Sequence, residues 1–306
     1  MSCGWVSRHI GLIDTLGYGA KEAVAVYVVK GSEGAALIDA GYSPSWERVI
    51  KGLRELGVGL EEVNYLFLTH FHLDHAGASH KLLHHLPNAT LIVHEGAIRH
   101  LIDPSRLVDA ALAAFGDDLA PHIGDLKPIQ PERIEPANET RYRLGGVDLE
   151  ALFTPGHVPS HLSLYVEADE AVVTGDAVNV RYSSIPFPLP PASPPYYDVD
   201  NALKSLERIR ALRPKILCTP HYGARVAGDR LFEEERRAIS WWRDEVERMM
   251  DEGMDAEQIT AGMRAKLLEQ AGLKLQDLDG YARDILLTRL LKISVIGYMG
   301  FFMRRR

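Results

Sequence analysis

Between residues 63 and 75 a short apolar run, Val63-Asn64-Tyr65-Leu66-Phe67-Leu68, passes directly into Thr69-His70-Phe71-His72-Leu73-Asp74-His75. The first part has the composition of a buried strand, and the second sets four metal-binding side chains within six residues. In an extended segment residues two apart point to the same side, so His70 and His72 can meet one ion. Asp74 and His75, past the turn, can face a neighbouring one. Packing does not account for such a cluster, because every buried imidazole needs a hydrogen-bond partner.

Zinc sites take imidazole nitrogen and carboxylate oxygen, and a catalytic site keeps one position open for water, so further ligands are expected at other strand ends. Three strand-to-loop junctions supply them. His157 closes Thr154-Pro155-Gly156-His157, Asp176 follows Val172-Val173-Thr174-Gly175, and His221 follows an apolar run over 215–218.

The rest of the chain reads as two αβ halves around a central break. Residues 24–29 and 35–38 suggest a hairpin, 44–56 and the stretch from Gly77 to about His85 suggest helices, and 90–93 another strand. An alanine-rich, mostly helical insertion covers 98–123. Strands are expected over 142–144, 147–153, 162–166, 171–173 and 215–218, with a helix over 200–212. Residues 185–197 carry six prolines together with Phe187, Tyr196 and Tyr197, which dictates an irregular loop. Beyond 228 only helical spacing remains, over 231–250, 255–270 and 275–299, so the expected division is 1–228 and 229–306.

Composition narrows the function classes. The 306 residues include 46% hydrophobic residues, enough for one large core. A formal net charge of -8 leaves no basic field to collect phosphates, so nucleic acid is disfavoured as a partner. Cys3 and Cys218 are too few for a disulfide framework, which suits a cytoplasmic protein. The N-terminal residues lack a signal-peptide pattern, and no apolar run reaches the roughly 20 residues that a membrane span needs. The last helix is apolar around much of its circumference and ends in three arginines, so burial against the core or in a homodimer interface is expected ahead of a membrane surface.

The ordered set H-x-H-x-D-H, then His157, Asp176 and His221, resembles the metallo-β-lactamase superfamily, and the match covers about residues 24–223. The resemblance implies an α/β fold, an αββα sandwich, here with a helical C-terminal appendage. It implies that His70, His72 and His157 hold one metal, that Asp74, His75 and His221 hold another, and that Asp176 bridges them. Two divalent ions are therefore expected, zinc first, with iron, manganese, cobalt or nickel compatible with the same donors. Two cations about 3.5–4 Å apart lower the pKa of a shared water, and Asp74 is the expected proton acceptor. The motif lacks the glutamate pattern of the redox diiron flavoproteins, and Asp176 stands in a ligand set without cysteine, so the chain is similar to the glyoxalase II, lactonase and RNase Z branches. The segment Thr154-Pro155-Gly156-His157-Val158-Pro159-Ser160-His161 departs from the glyoxalase pattern T-P-G-H-T-x-G-H at Ser160.

Several residues stand beside this set. Asp39, in Leu37-Ile38-Asp39-Ala40-Gly41, resembles a family turn whose aspartate orients metal-site histidines. Tyr182, Tyr222 and His161 are candidates for contact with substrate or a developing oxyanion, and the loop with Phe187, Tyr196 and Tyr197 could roof the site. His80, His84 and His85 read as a solvated helix face. The function expected from the resemblance is hydrolysis of an ester, lactone or thioester of a small molecule. Its competitors are a phosphodiesterase or phosphotriesterase on the same metals, a single-iron persulfide dioxygenase and a non-catalytic metal-binding module.

Overall fold

A computed structural model describes residues 3–305, so the first two residues and Arg306 lie outside the described residues. Among the described residues thirteen strands form two sheets. The first holds β1 (Cys3–Trp5), β2 (Ile10–Asp14), β3 (Ala25–Lys30), β4 (Ala35–Ile38), β5 (Val63–Phe67), β6 (Thr90–Val93) and β7 (Ile134–Pro136), in that order. The second holds β8 (Arg141–Arg143), β9 (Asp148–Phe153), β10 (Leu162–Val166), β11 (Ala171–Val173), β12 (Ile216–Thr219) and β13 (Gly223–Val226), again in chain order. The helices are α1 (Trp46–Glu55), α2 (Leu73–Ala76), α3 (Ser79–His85), α4 (Glu95–Ile102), α5 (Ser105–Phe115), α6 (Ala120–Ile123), α7 (Val199–Ala211), α8 (Asp229–Asp251), α9 (Ala256–Ala271) and α10 (Leu291–Met303), the last preceded by a π-helical stretch, Tyr281–Leu290.

The chain divides into two compact units. The first runs to Phe153 and adds Ser160–Gly175 and Arg213–Ala227, so it contains both sheets and α1 to α6. Its core is the space between the sheets, filled by Ile10, Tyr27, Val29, Ile38, Phe67 and Ile92 from one and by Leu149, Leu162, Leu164, Val173 and Cys218 from the other. Each such side chain contributes about 1.5–3 kcal/mol by leaving water. Helix α1 covers the outer side of β2, and Gly52 lets it approach, since a Cβ there would stand 2.5 Å from Ile13.

Strand direction is what positions the site. Strands β4, β5, β6 and β7 run parallel, as do β11 and β12. Parallel strands present their carboxyl ends on one side, where α/β folds bind ligands. The residues that follow those ends are Asp39 after β4, Thr69 and His70 after β5, and His221 after β12.

The second unit gathers Thr154–Pro159, Asp176–Leu212 and the chain from Gly228 on. Compactness therefore divides the chain at different places from the expected 228/229 boundary. Here α7 packs on α8, and α10 packs on both α8 and α9. Trp242, Leu286, Leu287, Leu291, Val295 and Tyr298 are its buried core. The helical segment Tyr281–Met303 is long and apolar enough to cross a membrane by length and composition, contrary to the expectation that no stretch reaches that length. Half of its most apolar stretch is buried in the protein.

Candidate metal centre

The Thr69-to-His75 motif is partly loop and partly helix. His70 follows β5, His72 takes the N-cap position of α2 in extended conformation, and Asp74 and His75 lie on the single turn of α2. Gly77 ends that turn against the β4 loop, where a Cβ would meet Ser43 N at 2.8 Å. The main chain of the loop also holds α2, because Ala40 N donates to His75 O at 2.7 Å and Ala78 N donates to Gly41 O at 2.9 Å.

In the first unit Asp74, His75 and His221 come together, with ligand atoms all within 4.8 Å of one another. His221 Nε2 stands 3.3 Å and His75 Nε2 3.6 Å from Asp74 Oδ2. Each ring spends its other nitrogen on the protein. His75 Nδ1–H donates to Asp39 Oδ2 at 2.8 Å, and His221 Nδ1–H donates to the Ala23 carbonyl at 2.8 Å. With Nδ1 spent on a carboxylate and on a carbonyl, both imidazoles turn Nε2 toward Asp74. That is how metal-binding histidines are oriented, and the donor chemistry fits a divalent cation.

His70 and His72 form a second convergence in the same unit, with His70 Nε2 at 3.0 Å from His72 Nδ1. Thr69 links the two groups. Its hydroxyl and its amide both donate to Asp39, at 3.0 and 2.8 Å, and its oxygen lies 3.2 Å from His70 Nδ1. One carboxylate, 3% exposed, therefore sets the directions of His75 and, through Thr69, of His70. Asp39 is placed as the sequence suggests, beside the histidines.

In the second unit His157 and Asp176 face each other, Nε2 to Oδ2, at 3.4 Å. His157 Nδ1–H donates to the Pro191 carbonyl, so its Nε2 is the nitrogen turned toward a carboxylate, as in His75 and His221.

The electrostatics of Asp74 follow from its neighbours. Burial alone would raise its carboxyl, but His75, the His221 contact and His72 outweigh that and hold it well below the usual carboxylate range. It is the anion of the group, still about one-fifth exposed at its side chain, where 21% is accessible.

Other candidates fall in several places. His161 is fully buried with its ring 5.3 Å from that of His70. Tyr222 packs against the inter-sheet core, and burial, then the Asp14 and Glu22 carboxylates, push its phenol up. Tyr182 is buried in the second unit with Tyr281 edge-on at 6.0 Å. In the proline-rich loop Tyr196 is exposed, whereas Tyr197 is buried and donates to Tyr298. His84 and His85 are exposed, as a solvated face requires, although His85 stacks on Trp46 at 4.8 Å, whereas His80 departs from that reading and is half-buried with Nδ1 3.2 Å from the Gly77 carbonyl. Sequence reasoning missed Thr69, Ala23 and Pro191. Thr69 could have been found from its place before the first histidine, but the other two act through main-chain carbonyls, which no residue type announces.

A family model described as the metallo-beta-lactamase superfamily matches residues 20–221. A metallo-beta-lactamase fold-containing protein of Sulfurisphaera tokodaii is 28% identical over 222 residues, spanning 71% of this chain and 79% of that protein. An atrochrysone carboxyl ACP thioesterase of Emericella nidulans is 25% identical, covering 55% of this chain and 44% of that protein. Among solved structures, an archaeal metallo-beta-lactamase superfamily protein from Sulfolobus tokodaii superposes with a TM-score of 0.67 at 23% identity, over 91% of this chain and 93% of that one. With the histidine and aspartate clusters at the strand ends and a family match that spans both sheets, the chain belongs to the metallo-beta-lactamase superfamily of metal-dependent hydrolases.

Proposed function

We propose that this chain is a dinuclear metallohydrolase that cleaves a carboxylic ester, lactone or thioester of a small molecule. The observation that carries the reading is the Asp74, His75 and His221 group, whose rings are already oriented by Asp39 and Ala23. In this reading His70, His72 and His157 hold one ion, Asp74, His75 and His221 hold the other, and Asp176 serves both.

Bound divalent cations, zinc first, supply Lewis acidity to the scissile group and let a water ionise near neutral pH. The chain's own residues do the rest. Asp74, the carboxylate set between His75 and His221, accepts the proton of the attacking water and aims it. As the water oxygen bonds to the acyl carbon, charge grows on the carbonyl oxygen, and His161, with its ring 5.3 Å from that of His70, is the donor we assign to it. Collapse breaks the bond to the leaving alkoxide or thiolate, which takes up the proton and departs as alcohol or thiol. A relative named as a thioesterase supports the acyl class, at 25% identity.

Elemental analysis with a panel of an aryl ester, an acyl lactone, a glutathione thioester, a phosphodiester and a penicillin tests this. Two metals per chain with chelator-sensitive turnover of acyl substrates is the expected result. Turnover confined to the phosphodiester, or one iron with no hydrolysis, would overturn it.

A further inference from the structure

Within the second unit both proposed ligands are tied to the C-terminal helices by short hydrogen-bond chains. The direction of His157 Nε2 depends on where the Pro191 carbonyl lies, because that carbonyl takes the Nδ1 proton. The loop that carries Pro191 has six prolines in residues 185–197, each without an N–H, so few of its peptides can be held by bonds of their own making. The Val180–Leu189 bridge and the Tyr197 N–H to the Ser193 carbonyl hold parts of it, and α10 holds the stretch around Pro191. Ser294 Oγ donates to the Pro190 carbonyl at 2.7 Å. Gly297 lies so close to the loop that a Cβ there would stand 2.1 Å from Ala192 O. Tyr298 accepts from Tyr197 and donates to Ile239 O of α8, each at 3.2 Å. Residues 294, 297 and 298 share one helical face, so one side of α10 grips the loop.

Asp176 has its own support. Asn179, three residues on and 1% exposed, donates its amide N to Glu235 Oε2 at 3.0 Å and its Nδ2 to Glu235 O at 3.1 Å. Arg181 Nε donates to Glu235 Oε1 at 3.2 Å. Glu235, fully buried in α8, is thus paired with Arg181 and bonded by the segment that follows Asp176. A buried carboxylate so paired is costly to disturb, which makes it a rigid anchor.

We propose that α8 and α10 are the positioning scaffold for these two ligands: Ser294 and Gly297 set His157 through Pro190–Ala192, and Glu235 sets Asp176 through Asn179. The inference rests on the metal role proposed for His157 and Asp176. It gives the helices beyond the family match, which ends at residue 221, a part in the site.

The test uses the full-length chain as wild type and as Gly297→Ala, Ser294→Ala, Ser294→Thr and Glu235→Gln. In the metal-free protein, ring nitrogen chemical shifts report the tautomer of His157; wild type should show hydrogen fixed on Nδ1, and Gly297→Ala and Ser294→Ala should show a mixture. Zinc competition titrations should show affinity weakened about 10–100-fold in Gly297→Ala, Ser294→Ala and Glu235→Gln, with circular dichroism unchanged and Ser294→Thr close to wild type. Folded variants that keep both the tautomer and the zinc affinities of wild type would overturn the proposal. Should Gly297→Ala fail to fold, Ser294→Ala and Glu235→Gln decide. Wild type that binds no zinc would sink the metal reading, and the tautomer measurement would still decide whether α10 positions His157.

Discussion

Asp39 sits at φ 63°, in the left-handed region that aspartate tolerates better than most residues. That backbone bend sends its carboxylate to Thr69 and His75 at once. Replacing it by alanine leaves the buried Thr69 amide without its acceptor, which costs about 1–3 kcal/mol. It also frees His75 to change tautomer. Asp39→Ala should therefore lower the denaturation midpoint by that amount and weaken zinc binding about 10–100-fold, read by denaturant titration and chelator competition. Gly175 makes a steric case of the same kind: at φ 52°, a Cβ would stand 2.6 Å from His161 Nε2 and 2.7 Å from Thr69 Cβ. Gly175→Ala should destabilise by about 1–3 kcal/mol, through overpacking against these two residues, and calorimetry will show it as a lowered melting temperature.

At the scale of elements, the motif strand β5, the hairpin β3–β4 and the helical end of the chain were legible because their apolar patterns are long or unbroken. Strands β1, β7 and β13 were not, since three or four residues carry too little periodicity and their pairing is decided by neighbours distant in sequence. Helix α2 was hidden inside what read as a loop, because four residues make one turn whose start depends on the conformation of His72. The His9 role was equally invisible. Asp169, in the turn between β10 and β11, accepts from Ser7, from His9 N at 3.0 Å and from His9 Nδ1 at 2.7 Å, which pins the β1–β2 turn to the second sheet. Burial would raise this carboxyl, but the bonds from Ser7 and His9 prevail and lower it. A depressed folded value means the pair stabilises above the unfolded carboxylate pKa of about 3.9 and loses that effect as pH falls through the folded value. Asp169→Asn should consequently be less stable than wild type at neutral pH. The gap should close on acidification below about pH 3.9. Urea midpoints taken from pH 7 to pH 2.5 measure it, and a gap that widens toward acid would contradict the assignment.

For the whole molecule, the proposed ligands come from residues 70 to 221, contributed by loops after β5, β9, β11 and β12. Only the folded chain can bring such distant residues together, so metal binding must couple to global stability. A ligand that binds the folded state alone adds RT ln(1 + [L]/Kd), about 2.7 kcal/mol at 100 times Kd. The unfolded chain keeps His70, His72, Asp74 and His75 within six residues, a local ligand set that survives denaturation and lowers the net effect. Chelation should thus lower the melting temperature by several degrees, at about 2–4 °C per kcal/mol for a chain of this size class. Zinc should restore it in proportion to the logarithm of its free concentration. The coupling also separates the two parts of the site. Replacing His157 and Asp176 by alanine removes only residues that are far apart in the unfolded chain, and this should shrink the zinc-dependent shift more than it changes the melting temperature of the chelated protein. A shift that survives that double replacement in full would mean that the motif after β5, with His221, binds the stabilising metal alone.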